Sequence, residues 1–431
     1  MKIKTKKLSY DEVCKLPYKE HKKPIRPNKA VTKLARALSS SELKKVNFTY
    51  EMIDMDKLSD KEPCLILMNH SSFIDLEIVN YIFKNRPFNI VCTSDGFVGK
   101  DTLMRNIGCI PTQKFVTDLT LVKDMLYCVS ELKTSVLMYP EASYSFDGTK
   151  TPLPGSLAKC IKLLNVPVVF IETFGAFARD PLYNGLRLRN VDVSAKVTYL
   201  MSKEKIRKMS ATEISALLDE CFSFDYFKWQ KDNKIKVSED FRTLGLERVL
   251  YKCPACKKEG TTKGTGIKLV CNNCNKTYTM NEYGEMLSDD GNTEFSHIPD
   301  WYKWERECVT EELLNNTYSL DIPVEIKILK DTNAIYEVGE GRLIHDKSGF
   351  TLTGCDGKLS YKQSPKLSYS LYADYFWYEI GDVICIGDNK TLYYCFPKDS
   401  GDVVAKTRLA TEELYNMSNS KEEMLCFNNL S

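Results

Sequence analysis

The sequence predicts an α/β domain with a largely parallel sheet, then a small Cys-rich ribbon, then an antiparallel, barrel-like β domain closed by a helix. Three observations predict it. Over residues 46–240 short apolar runs alternate with amphipathic segments, the pattern of strands joined by crossover helices. Cys253-Pro254-Ala255-Cys256 is followed by Cys271-Asn272-Asn273-Cys274, two knuckles at metal-ligand spacing. Beyond residue 321, β-branched and aromatic runs are separated by Gly-Asp, Asp-Gly and Asp-Asn turns.

The chain has 431 residues and 43% hydrophobic content, enough for two or three cores. Its net charge is +2, but residues 1–45 carry 14 Lys or Arg against 4 Asp or Glu. Such a basic arm suits an anionic partner, either a membrane surface or nucleic acid, and equally a solvated terminus. Within it Ala30, Val31, Leu34, Ala35 and Leu38 repeat at helical spacing, flanked by Lys29, Lys33 and Arg36. A short helix of this kind can lie on an anionic bilayer or pack on its own domain. Most of the 16 cysteines, among them Cys64, Cys109, Cys160, Cys385 and Cys395, stand alone on apolar stretches and read as buried hydrophobes. No apolar core follows the charges of Lys2, Lys4, Lys6 and Lys7, so no signal peptide is predicted and a cytoplasmic compartment is expected. No run approaches the ~20 apolar residues of a spanning helix. Membrane contact is therefore expected to be peripheral.

In the 46–240 domain the predicted strands are 48–53, 64–68, 88–92, 135–139, 167–173 and 194–199. The predicted helices are 76–84, 118–133, 156–164 and 211–227. In such sheets the chemistry collects at the carboxyl ends of strands. The run Cys64-Leu65-Ile66-Leu67-Met68, entered through Pro63, ends in Asn69-His70-Ser71-Ser72-Phe73-Ile74-Asp75. Ser71 and Ser72 can cap the helix that follows, and Asp75 in its first turn can reach back to His70. A carboxylate on one ring nitrogen fixes the tautomer and leaves the other nitrogen free to take a proton. A buried His satisfied by a nearby carboxylate fits the same spacing. Three more clusters fall at corresponding places: Ile107 to Lys114, Leu137 to Ser143 with Glu141 delivered after Pro140, and Asn165 to Val169.

Together these four ordered blocks resemble the glycerolipid acyltransferase family, of the lysophosphatidate (1-acylglycerol-3-phosphate) acyltransferase type, over about residues 46–230. His70 and Asp75 match its His-x4-Asp motif, and Gly108 to Lys114 its second block with Lys114 at an Arg position. Tyr139-Pro140-Glu141 matches its Phe-Pro-Glu, and Val166-Pro167-Val168 its fourth block. The resemblance implies transfer of a fatty acyl group from a thioester, acyl-CoA or acyl-carrier protein, to the hydroxyl of a lysophosphatidate-like glycerolipid. His70 would be the general base and Asp75 its orienter. Lys114 and Glu141 would hold the acceptor head group, with Gly108 and Ser143 also in the substrate-binding set. The implied partners are a glycerolipid acceptor, an anionic membrane surface and an acyl-carrier protein. Two departures stand out. Where the family continues Gly-Thr-Arg after Phe-Pro-Glu, this chain has Ala142-Ser143-Tyr144, and Lys114 lacks the bidentate fork of Arg. They point to an altered acceptor, or to a non-catalytic lipid- or protein-binding scaffold built on the same fold.

Residues 245–290 read as a zinc ribbon. Cys253, Cys256, Cys271 and Cys274 would fill all four places of a tetrahedral, structural Zn²⁺ site, with a return strand near Thr277–Thr279. Lysines are frequent there, but aromatic residues are few and no base-reading helix is evident, which disfavours nucleic acid. Residues 291–320 form a helical linker carrying Trp301, Trp304, Val309, Leu313 and Leu314. In 321–420 the predicted strands are 324–329, 334–338, 341–345, 350–353, 358–361, 371–379, 382–387 and 391–396, with a closing helix over about 402–417. In architecture alone this last region resembles a pleckstrin-homology-like barrel.

Overall fold

The computed structural model describes residues 2–116, 118–398 and 402–428, with the side chains of the last helix described through 419. It forms two compact units. One comprises Glu20–Pro181 and Leu186–Glu239. The other comprises Met1–Lys19, Leu182–Gly185 and Asp240–Ser431.

The first unit is built on a seven-stranded sheet. Its strands are β1 Thr49–Ile53, β2 Leu65–Met68, β3 Phe88–Thr93, β4 Cys109–Thr112, β5 Ser135–Met138, β6 Val168–Phe174 and β7 Ser194–Met201. Their order is β1-β7-β6-β2-β5-β3-β4. The five strands from β6 to β4 are parallel. β7 runs antiparallel to β6, and β1 pairs parallel with β7. The sheet is therefore mixed at one side, where the sequence suggested a largely parallel one.

β2 and β5 are buried at every residue, as strands covered on both faces must be. Alternation sends Ile66 and Met68 into one core with Leu137, Val169 and Ile171, and Leu65 and Leu67 into the other with Val136, Met138 and Phe170. α1 Lys29–Lys44 and α2 Asp75–Ile82 close the first face. α3 Leu119–Ser130, α4 Leu157–Leu164 and α5 Ala211–Cys221 close the second.

Two local differences from the sequence reading have physical causes. β4 contains Pro111, which cannot donate to a ladder and so argues against a strand; β4 is the edge strand, where that loss is tolerated. The helix expected over 211–227 is broken. α5 ends at Cys221, and Asp225, whose side chain accepts from Lys228 N–H, caps a separate helix Tyr226–Asp232.

The second unit holds the ribbon, a four-stranded antiparallel sheet of β8 Thr262–Thr265, β9 Lys268–Cys271, β10 Thr277–Met280 and β11 Met286–Ser288. After α6 Ile298–Leu314 come β12 Leu320–Leu329, β13 Ile335–Asp346, β14 Gly349–Gly354, β15 Leu359–Gln363, β16 Tyr372–Trp377, β17 Gly381–Gly387 and β18 Leu392–Pro397, then α7 Val404–Asn428. The order is β15-β14-β13-β12-β18-β17-β16, all antiparallel. Among the described residues β15 and β16 are its free edges, so strand pairing does not close a barrel. The two strands expected at 334–338 and 341–345 are one. Gly339-Glu340-Gly341 reads as a turn in sequence, but here it carries β13 past a register shift at Ile326/Lys327.

The basic arm is shared between the units. Thr5–Lys7 pairs parallel with β13, Ile3 and Val13 are buried, and a capping box of Ser9 and Glu12 starts a short helix Tyr10–Lys15. Lys330 Nζ donates to the Cys14 carbonyl at 2.8 Å. Deleting residues 2–16 is expected to destabilise the second unit by about 3 kcal/mol, at the low end for exposing two aliphatic side chains. Faster amide exchange in β13 is the readout. Among the described residues no helix is long and apolar enough to cross a membrane.

Candidate active site

β2 delivers the chain into a polar turn whose hydrogen bonds fix its shape. Asn69 Oδ1 accepts from Thr173 N and Oγ1 at 3.0 and 3.2 Å, tying the ends of β2 and β6 together. His70 N donates to Glu141 Oε2 at 2.8 Å, and Ser145 N to the His70 carbonyl at 3.3 Å. Asp75, the first residue of α2, lies across the turn from the imidazole. Its Oδ2 is 3.0 Å from His70 Nδ1 and accepts from Ser71 N at 2.9 Å and Ser72 N at 3.1 Å. Nδ1 is thus engaged, and Nε2 is the nitrogen left for chemistry.

Asp75 is 1% exposed, and its Oδ1 is buried with no hydrogen-bond partner among the described residues. Burial pushes its carboxyl up to about 8, against the pull of the two backbone donors. Burial also holds the His70 imidazole well below its ordinary value, and the Lys114 ammonium adds to that effect. His70 is neutral at physiological pH.

The imidazole lies between two rings. Tyr139 stacks on it at 4.3 Å and 23°, and Tyr144 at 4.0 Å and 31°, with Phe73 against Tyr144 at 5.0 Å. Such contacts contribute about 0.5–1.5 kcal/mol each and fix the ring plane. A small open cleft beside His70 is lined by Asn69, Ser145, Lys150, Phe177 and Phe224.

The other sequence-selected residues are placed less uniformly. Lys114 follows β4 at the same carboxyl edge of the sheet and acts on His70 electrostatically. Glu141 is buried, and its carboxylate receives His70 N and, at 2.8 Å, Thr151 N. It ties two loops together; the resemblance implied that it holds the acceptor head group. Ser143 is buried, with Oγ donating to the Tyr144 carbonyl. Gly108 departs most from expectation. It lies at the amino end of β4, opposite the His70 edge, as the left-handed cap of Asp101–Ile107 with φ 103°. A Cβ there would stand 2.6 Å from Pro27 Cγ. The backbone conformation and the close approach of Pro27 both require a glycine here.

Ala142, at the family's Gly position, keeps the left-handed conformation with φ 54°. A Cβ there costs about 1–2 kcal/mol, part of which Gly would return through unfolded-state entropy. Ala142→Gly is expected to raise stability by about 1 kcal/mol in a urea titration.

A family model described as Acyltransferase matches residues 49–171. Those residues belong to the acyltransferase family. The acyltransferase domain so defined contains His70, Asp75, Lys114 and Glu141, and it is the family that the four ordered blocks resemble. None of the curated proteins matches the chain. Among solved structures it is similar to a 1-acyl-sn-glycerophosphate (LPA) acyltransferase from Thermotoga maritima. The identity is 12% and the TM-score 0.34, over 46% of this chain and 82% of that one.

Outside the acyltransferase domain, the four ribbon thiols converge. Cys253, Cys256, Cys271 and Cys274 place their sulfurs within 4.8 Å of one another. Cys253 to Cys274 is 3.8 Å and Cys256 to Cys271 is 3.7 Å. Zn–S bonds of about 2.3 Å set the sulfurs of a regular tetrahedron about 3.8 Å apart, so the four fit zinc. The two knuckles repeat one geometry. Lys257 N donates to the Cys253 carbonyl and Asn275 N to the Cys271 carbonyl, and both Lys257 and Asn275 take left-handed φ, 63° and 61°. Cys253 N and Cys271 N in turn donate to the carbonyls of Lys258 and Lys276.

Proposed function

We propose that this protein transfers a fatty acyl group from a thioester donor, acyl-CoA or acyl-carrier protein, to the hydroxyl of a lysophosphatidate-like glycerolipid. The observation that carries the reading is the His70–Asp75 pair, joined at 3.0 Å at the carboxyl end of β2 inside the acyltransferase domain. His70 Nε2 takes the proton of the acceptor hydroxyl as its oxygen attacks the thioester carbonyl. Asp75 holds the Nδ1–H tautomer and stabilises the imidazolium. The C–S bond then breaks, and the departing thiolate takes the proton from His70. Lys114 is the cation for an acceptor phosphate. The membrane-facing element is α1, which exposes Leu34 (64%) and Leu38 (62%) while burying Ser39 and Leu43. Zn²⁺ bound by the four cysteines is structural, since thiolates fill every coordination place.

The competent pair is a neutral imidazole with an ionised carboxylate, and Asp75 is the last of the two to lose its proton. Acyl-transfer kcat/KM is therefore expected to rise with pH up to about 8 and then level. A limb centred near the ordinary His value would contradict this assignment.

One observation favours a second reading, a lipid- or protein-binding scaffold. Tyr144 stands where the family has Arg and lies on the imidazole face. Lipid binding without thioester consumption is the result that selects it.

A further inference from the structure

We infer that Asp180, outside the acyltransferase-matching residues, is a positioning residue that acts on His70 through Ser72 and Asp75. The inference rests on the acyl-transfer reading above. β6 lies beside β2 and parallel to it, so their carboxyl ends are neighbours. Leaving β6, the chain turns sharply at Gly175. There φ is 80°, and a Cβ would meet the Asp192 carbonyl oxygen at 2.2 Å. The short helix Ala176–Arg179 then brings Asp180 back under the His70 turn.

Asp180 is 4% exposed. Its Oδ1 accepts the Ser72 hydroxyl, and Arg179 Nη1 holds its Oδ2 at 3.2 Å. Ser72, also buried, accepts Ile74 N on Oγ at 3.3 Å, and its own N–H is one of the donors to Asp75 Oδ2. One serine thus joins two buried carboxylates: its hydroxyl serves Asp180, and its amide serves the carboxylate that orients the imidazole.

The two carboxylates also interact electrostatically. Burial raises Asp180 to about 6, with the Ser72 hydroxyl, Arg179 and Arg189 opposing it, and raises Asp75 further, to about 8. Asp180 ionises first, and Asp75 must then lose its proton beside an existing negative charge. The other groups facing this cluster are His70 on the turn, Glu77 on α2, Tyr139 at the end of β5 and Glu42 on α1. Glu77 is raised by burial and by Asp75, and Tyr139 likewise; Glu42 stands 3.9 Å from Arg179.

The test is an NMR titration of the full chain, which has only 4 histidines. The His70 ring signals report the ionisation of Asp75. In Asp180→Asn that inflection is expected to move down by about one pH unit. An unmoved inflection overturns the inference. Ser72→Ala, which leaves both carboxylates in place, keeps the test decisive if Asp180→Asn does not fold. It is expected to lower kcat for acyl transfer from oleoyl-CoA to 1-oleoyl lysophosphatidate about tenfold with donor KM unchanged. An unchanged kcat overturns the inference. His70→Ala, run in parallel, separates the two layers. If it is inactive while the Asp180→Asn inflection stays put, the inference fails and the acyl-transfer reading stands. If it transfers acyl groups as the wild type does, both fail.

Discussion

His70→Ala is expected to lower acyl transfer by about 10²–10⁴-fold, the range for removing a positioned general base. The turn that carries His70 is held by main-chain bonds the substitution leaves in place: His70 N to Glu141, Ser145 N to the residue 70 carbonyl, and Asn69 to Thr173. The loss should therefore fall on kcat with the fold intact. Asp75→Asn gives the companion result. It should lose most of the activity, because an amide cannot stabilise the imidazolium. It should not lose stability near pH 8. Asp75 is raised above its unfolded value, so the folded wild type favours the protonated carboxyl. Its contribution is full below about pH 4 and is lost as pH rises through about 8, whereas Asn carries no such penalty. A melting temperature at pH 8 equal to or above wild type, with activity gone, is the expected pair of results. A variant that is both less stable and still active would contradict the role given to Asp75.

The second large effect concerns the thiol cluster. Native mass spectrometry is expected to find one zinc per chain, lost in Cys256→Ala. Apparent free energies of structural zinc sites run to about 10–16 kcal/mol, so stripping the metal should unfold the ribbon outright. The effect should extend to α6. Trp301 Nε1 donates to the Lys252 carbonyl at 3.0 Å, and Glu305 Oε1 accepts Lys252 N at 2.8 Å, both beside the first knuckle. Trp301 and Glu305 are buried, so α6 loses its docking partner when the knuckle opens. Hydrogen exchange after chelation should rise across residues 250–290 and in Ile298–Leu314 together. Unchanged protection of the ribbon without metal would remove zinc from the account.

Much of this was legible in the chain because it is written locally. A four-residue apolar strand followed by His-x4-Asp sets the distance from turn to helix, and the two Cys-x-x-Cys knuckles encode their own geometry. What was not legible depends on partners distant in sequence. Glu141 carries no sign in sequence that its oxygens accept His70 N and Thr151 N. Gly108 gives no sign in sequence that Pro27 packs where its Cβ would be. Tyr144 could be seen as a missing Arg, but not as a ring lying on the imidazole. Asp180 carries no motif at all; only the sheet order, which sets β6 beside β2, brings it under the His70 turn. The strand Cys109–Thr112 and the continuity of β13 were missed in the same way, since an edge position and a register shift are tertiary facts.

The most direct measurement is thiol release and acyl-lipid formation by the wild-type protein, offered acyl-CoA and acyl-carrier protein in turn over a panel of lysophospholipids. Stoichiometric thiol and acylated lipid, formed with one acceptor preferred, is the expected result. Binding of lysophospholipid to the protein with no thiol released from either donor would contradict acyl transfer and leave the scaffold.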